Sequence, residues 1–207
     1  MDVTQFIAEH WLDMLTTILG LAYIVLEYRA SIWLWVVGFV MQDLGIVLYY
    51  QKGLYADCGM EFYYLTMTIY GFITWKFPIR KGADKQNGEK TSPKDLPITH
   101  FKKSLILPWT LITLTLWGAL YYFLSNYTDS RVPATDSFTT ALSVVGIIAL
   151  TRKYLEQWLI WIVVDAVTCV LYFYKDIPFK ASLYGLYVVI AIMGYFKWKR
   201  MMKSQQA

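Results

Sequence analysis

The chain has 207 residues, 57% of them hydrophobic, 18% aromatic and only 16% charged, with a formal net charge of +4. A soluble domain carries about a quarter charged residues, so this composition excludes an ordinary water-soluble core. The 9 Trp and 17 Tyr suit a protein with many lipid–water boundaries, where amphipathic rings anchor.

Taken in chain order, the apolar runs approach the roughly 20 residues that span a bilayer and predict seven helices, near 11–26, 32–50, 55–77, 105–124, 135–150, 155–174 and 179–196. The first is preceded by Asp2, Glu9 and His10 and by no Lys or Arg. It lacks the basic lead of a cleavable signal and is expected to be retained. Helical spacing of i, i+3, i+4, i+7 gives the second helix one face of Trp35, Gly38, Gln42, Gly45 and Tyr49. The third carries Glu61, Tyr64, Thr68, Gly71 and Trp75 in the same way. The basic segment 78–103, with Pro93 and Pro97, reads as a solvated loop. The fourth and fifth helices follow. The sixth presents Trp158, Trp161, Asp165, Thr168 and Tyr172, and the seventh Tyr184, Tyr187, Ala191, Gly194 and Trp198. Nothing in the sequence brings Cys58 and Cys169 together, so no disulfide is expected.

Residues recur in register at a constant offset of 123, the distance from Trp35 to Trp158. Arg29/Arg152, Trp35/Trp158, Leu48/Leu171, Tyr49/Tyr172, Lys52/Lys175, Tyr64/Tyr187, Gly71/Gly194, Trp75/Trp198 and Lys76/Lys199 are identical without a gap. A fixed period marks a repeat architecture, and duplicated apolar halves are a pattern of transporters that hold substrate between them. The repeat covers helices one to three and five to seven and leaves the fourth unpaired. One extra crossing gives both triplets the same orientation. The expected fold is therefore an all-α membrane protein, with two parallel three-helix repeats joined by a linker helix. Residues 1–77 form the first repeat, 78–103 a basic cytoplasmic loop, 104–130 the linker transmembrane helix, and 131–207 the second repeat with a basic tail.

With 78–103 in the cytoplasm, Lys52, Arg131, Lys175 and Lys180 lie outside and the other 15 of the 19 Lys and Arg lie inside. The positive-inside rule then sets the N-terminus outside and the C-terminus inside. The basic excess reports this topology: the lipid bilayer is an expected partner and nucleic acid is not.

A mid-helix carboxylate is expensive in a bilayer and marks a cavity, a proton path or a substrate. Asp165 stands in the middle of the sixth helix, where the first copy has Gln42. The polar and aromatic faces nominate Trp35, Gln42, Glu61, Tyr64, Thr68, Trp75, Trp161, Asp165, Thr168 and Tyr172 as substrate-binding residues. Aromatic faces attract a cation, a carboxylate adds Coulomb attraction away from water, and Gln42 and Thr168 hydrogen-bond hydroxyls. A flat ring bearing positive charge fits these groups. The plain alternative is helix packing, which rings at helical spacing serve more often than ligand binding, and which also accounts for Gly38, Gly45, Gly71 and Gly194. His10 and His100 fall outside the membrane on opposite sides, and no Gly-rich phosphate loop occurs. Neither an enzyme nor a cofactor is expected; a membrane receptor or structural protein is the rival class.

The runs "LEYRASIWLWVVGFV", "LYYQKGLYAD", "YGFITWKF" and "EQWLIWIVVDAVTCVLYFYKD" followed by "LYGLYVVIAIMGYFKW" resemble the PnuC-type B-vitamin transporters of bacteria. The resemblance covers the membrane segments and omits the basic loop and the termini. It implies a SWEET-like arrangement of three, one and three helices, a homotrimer, and residence in the bacterial inner membrane. It implies import of nicotinamide riboside by facilitated diffusion with intracellular trapping by phosphorylation, with thiamine as the alternative substrate and riboflavin carried by relatives.

Overall fold

The computed structural model describes residues 3–51, 55–78, 96–128, 130, 132–174 and 178–206, without the side chains of 3–10, 12–14, 16, 17, 55–57, 178–180 and 206. Seven α-helices follow in chain order: α1 (Val3–Tyr28), α2 (Trp33–Gln51), α3 (Tyr55–Lys76), α4 (Ile106–Tyr127), α5 (Pro133–Thr151), α6 (Gln157–Tyr174) and α7 (Pro178–Gln206). A short 3-10 turn, Lys103–Leu105, leads into α4. Most of the basic loop expected at 78–103 lies outside the described residues, as do Lys52, Arg131 and Lys175.

Among the described residues five helices are long and apolar enough to cross a membrane: α2, α4 with its leading turn, α5, α6 and Ala181–Gln205 of α7. In α1 the apolar segment is Ile18–Tyr28, and α3 is more polar, with Glu61 and three threonines between Thr66 and Thr74. Two helices outrun their expected ends. α1 starts at Val3 and not near 11, and α7 continues to Gln206 and not to 196. The expected ends followed the apolar run, but backbone i→i−4 bonding needs no apolar side chain. Lys199, Arg200 and Lys203 simply reach water from the last turns of α7, where cations also suit the helix dipole.

The chain divides into two compact units, Met1–Asp95 and Leu96–Ala207. In the first, α1 packs on α2 and α2 on α3; in the second, α4 packs on α5, α5 on α6 and α6 on α7. The same local devices recur in both. After α1, Ser31 N donates to Leu26 O (3.0 Å) and Ala30 N to Glu27 O (2.8 Å). After α5, Tyr154 N donates to Ala149 O (3.0 Å) and Lys153 N to Leu150 O (2.9 Å). This is a helix-ending motif that needs a left-handed residue, supplied by Ala30 and Lys153, each at φ 51°.

The next shared device is a tryptophan joint. Trp35 of α2 meets Trp75 of α3 edge-on at 5.3 Å and 88°; Trp158 of α6 meets Trp198 of α7 at 5.6 Å and 88°. All four rings are at most 2% exposed. Trp35 lies over Gly71 and Trp158 over Gly194, where a methyl group would stand 2.6 Å from the Trp158 ring. Glycine there lets the helices approach closely enough for the rings to pack.

α5 carries six Ser and Thr yet spans. Ser137, Thr139, Thr140, Ser143 and Thr151 each donate to a carbonyl three or four residues back, within the helix, so their hydroxyls enter the bilayer satisfied. α4 has no buried residue and exposes Leu107, Leu111, Ile112, Leu114 and Tyr122, a surface suited to lipid. In the second unit a short extended stretch crosses the α5–α6 turn. Thr99 N donates to Lys153 O (3.1 Å) and Leu155 N to Thr99 O (2.9 Å). Ile98 N donates to Gln205 Oε1 of α7 (3.0 Å), and the Glu156 carboxylate accepts from Phe101 N (2.8 Å) and contacts His100 Nδ1 (2.8 Å).

Candidate functional site

In the second unit, α6 sets the sequence-nominated residues on one face because 161, 165, 168 and 172 advance by about whole turns. Trp161 packs against α5, where a methyl group on Gly146 would stand 3.3 Å from its ring. Its indole Nε1 is buried without a hydrogen-bond partner. Asp165 is 8% exposed and lies within electrostatic reach of Tyr187 on α7. Thr168 and Tyr172 are half-buried. Tyr172 stacks on Tyr184 at 5.4 Å and 26°, and Tyr184 meets Tyr187 edge-on at 5.6 Å and 76°. A string of tyrosines thus runs from Tyr172 across to α7 and ends at Tyr187, within electrostatic reach of Asp165.

Tyr184 and Tyr187 were not among the nominated residues. Both sit on the predicted face of the seventh helix, and Tyr187 is the repeat partner of the nominated Tyr64, so the signal was present. What the sequence could not give is that α7 turns this face toward α6.

In the first unit Gln42 is half-buried. The Glu61 carboxylate sits against Gly45, where a methyl group would stand 2.7 Å from its Cδ. Thr68 is 3% exposed and lies, with Tyr23 of α1, against Gly38. Tyr64 packs at 5.5 Å on Tyr63 and is in electrostatic reach of Tyr23, as is Glu27. The nominated Trp35 and Trp75 form the inter-helix joint described above, at 1% and 2% exposure. Glu27 and Tyr23 went unnominated. Glu27 reads as part of a polar break in the sequence, whereas it occupies the last turn of α1 at 5% exposure.

Chemically, the second-unit face offers one carboxylate, three phenol rings and an indole. Rings attract a cation within about 6 Å of their centroids, and a carboxylate shielded from water does so more strongly. Among the described residues no cluster of His, Cys, Asp and Glu could hold a metal ion, and Cys58 and Cys169 are free thiols. A separate groove of about 630 Å³, lined by Val132, Thr135, Ala166, Val167, Val170, Leu171 and Tyr174, is almost wholly apolar and lies on another side of α6.

Comparison with known proteins agrees with this architecture. The family model described as nicotinamide mononucleotide transporter matches residues 10–200. The nicotinamide riboside transporter PnuC of Escherichia coli is 22% identical over 212 residues, covering 91% of this chain and 84% of its own length. The PnuC of Haemophilus influenzae is 24% identical, with 94% and 82% covered. The riboflavin/roseoflavin transporter RibM of Streptomyces davaonensis is 25% identical, with 91% and 84% covered. The crystal structure of the vitamin B3 transporter PnuC superimposes with a TM-score of 0.71 at 21% identity, over 98% of this chain and 86% of that one, and so shares the fold. The chain belongs to the nicotinamide mononucleotide transporter family of multi-pass membrane transporters.

Proposed function

We propose that the chain imports an unphosphorylated, flat, cationic B vitamin, nicotinamide riboside, across the bacterial inner membrane by facilitated diffusion, with net uptake drawn by phosphorylation inside. The observation that carries this reading is Asp165, a nearly buried acid in the middle of α6, within electrostatic reach of Tyr187, whose neighbour Tyr184 stacks on Tyr172. A carboxylate framed by aromatic faces suits a pyridinium ring and disfavours an anion. None of the nominated residues is Lys or Arg, and a phosphate needs cationic or clustered N–H donors. The family description names the mononucleotide; the names of the relatives in Escherichia coli and Haemophilus influenzae, and this charge pattern, favour the nucleoside. The chain is read as two parallel three-helix repeats joined by α4, N-terminus outside, in a homotrimer.

Thiamine, also a flat cation, is the second reading, favoured by the same carboxylate. Purified protein is heated with nicotinamide riboside, thiamine, riboflavin or nicotinamide mononucleotide. A ligand bound only by the native state raises apparent stability by mass action. Nicotinamide riboside is expected to give the largest shift and its mononucleotide none. A larger shift with the mononucleotide overturns the reading. Uptake into liposomes then separates a carrier from a receptor or structural protein, and accumulation driven by an imposed proton or sodium gradient alone rules out passive transport.

A further inference from the structure

The offset between the units picks out Gln157. Its side chain is fully buried, at 0% exposure, and neither Oε1 nor Nε2 has a hydrogen-bond partner. Burying an unpaired amide costs about 1–3 kcal/mol on the scale of protein mutations, so this side chain is a standing penalty to the fold. The first unit avoids it: the equivalent position is Leu34, also at 0% exposure, so the joint needs no amide there.

Other orphan groups sort by the same comparison. The indole Nε1 atoms of Trp35 and Trp158 are both buried without a partner. They occupy equivalent positions, so that feature belongs to the shared tryptophan joint. Gln157 and Trp161, whose Nε1 is likewise unpaired, occur in the second unit alone, where the first has Leu34 and Gly38. They stand four residues apart on α6, and Asp165 four beyond, so all three share one helix face. The face carries unpaired hydrogen-bonding groups at its N-terminal end, an acid in the middle, and Thr168 and Tyr172 toward its C-terminal end. At a rise of 1.5 Å per residue the amide lies about 12 Å along the helix from the acid. Of the charged groups near the amide's end of the helix, Glu156 and His100 are engaged with each other, Arg152 is exposed and Lys153 is buried in the turn before α6.

We propose that Gln157 is a second polar subsite on the α6 face, which receives the uncharged hydrogen-bonding edge of the transported vitamin, its carboxamide or ribose hydroxyls, once the cationic ring has left Asp165. An amide both donates and accepts, matching a carboxamide or a hydroxyl pair, and it holds neither a phosphate nor a bare cation strongly. This rests on the functional reading above.

The test uses the full chain with Gln157→Leu, the residue the first unit tolerates, and Gln157→Met as a second apolar variant. Unliganded melting temperature, affinity for nicotinamide riboside and initial uptake rate in liposomes are measured. Both variants are expected to melt at or above the wild-type temperature, because an orphan amide is removed, to bind about tenfold more weakly, and to take up vitamin more slowly. Wild-type affinity and uptake in both variants overturn the proposal. So does a lower unliganded melting temperature, or failure of both to fold, since the amide is then structural. A wild-type chain that responds to none of the four vitamins overturns the functional reading and this subsite with it, whereas a responding wild type with indifferent variants overturns the subsite alone.

Discussion

In the first unit Trp35 crosses Gly71 to meet Trp75, Ala30 takes the left-handed turn after α1, and Cys58 Sγ approaches Ile46 O at 3.7 Å. In the second, Trp158 crosses Gly194 to meet Trp198, Lys153 takes the turn after α5, and Cys169 Sγ approaches Ala181 O at 3.1 Å. These are the same positions at the repeat offset; in the last pair the thiol has moved to the opposite helix and the contact survives. A ring and a glycine have traded places in the same manner: Tyr23 of α1 lies on Gly38 of α2, whereas Trp161 of α6 lies on Gly146 of α5. The polar groups do not follow this symmetry. The first unit buries Glu27 and Thr68, where the second has Leu150 and Ala191; the second buries Gln157 and Asp165, where the first has Leu34 and Gln42, and also Ser137, Thr151 and Lys153 at and before the α5–α6 turn. Packing tolerates exchange between partners as long as volume is conserved. Buried polarity thus differs between the units where packing is shared, and in the second unit Gln157 and Asp165 lie on the face of α6 that carries Trp161, Thr168 and Tyr172.

The comparison is tested first at its shared frame. Gly71→Ala and Gly194→Ala are each expected to destabilise the protein by about 3 kcal/mol, the upper range for an added methyl in a tight contact, read from denaturant or thermal unfolding in detergent. Similar losses sharpen the equivalence of the two joints. Tolerance at one and not the other breaks it.

A smaller effect tests the asymmetry. Asp165→Asn is expected to weaken vitamin binding by about 2 kcal/mol, as for loss of a charged partner, and Gln42→Leu by about 1 kcal/mol or less. Isothermal titration compares the two. A stable Asp165→Asn protein with unchanged affinity makes the acid structural and removes the distinction between the units. Tyr184→Leu should cost about 1 kcal/mol in the same titration, the worth of an aromatic contact beyond its area. Tyr184 replaces Glu61 at its repeat position, so an unaffected affinity would place binding away from the α6–α7 tyrosines.

The smallest effect is a control. Gly59 of α3 has nothing within 4 Å of an added methyl, and Gly59→Ala should change stability by less than about 1 kcal/mol, in the stabilising direction set by helix propensity. A large loss there, comparable to that at Gly71, would mean that the glycine sensitivity of the first unit is not confined to its tryptophan joint.

Helix number and approximate position were legible in the sequence, because apolar length and turn residues are local properties. The tryptophan–glycine joint was half legible: the repeat put Trp35, Gly71 and Trp75 in register with Trp158, Gly194 and Trp198, but periodicity cannot distinguish a ring that faces a ligand from one that faces a glycine. Asp165 stood out from composition alone, since a carboxylate among Ile162, Val163 and Val164 is anomalous in any bilayer helix. Tyr184 and Tyr187 were visible as a stripe and not as partners of the α6 face, where Tyr184 stacks on Tyr172.

The sequence by itself determined the membrane class, the seven helices, the internal offset and the acid in the sixth helix, each a matter of residue type and spacing along one chain. Only the tertiary structure decided which residues face one another. It set the rotation of α7 that stacks Tyr184 on Tyr172, the burial of Glu27 in the last turn of α1, and the full enclosure of Gln157. Burial and pairing depend on neighbours distant in sequence, and an amide costs the fold nothing until packing removes its water.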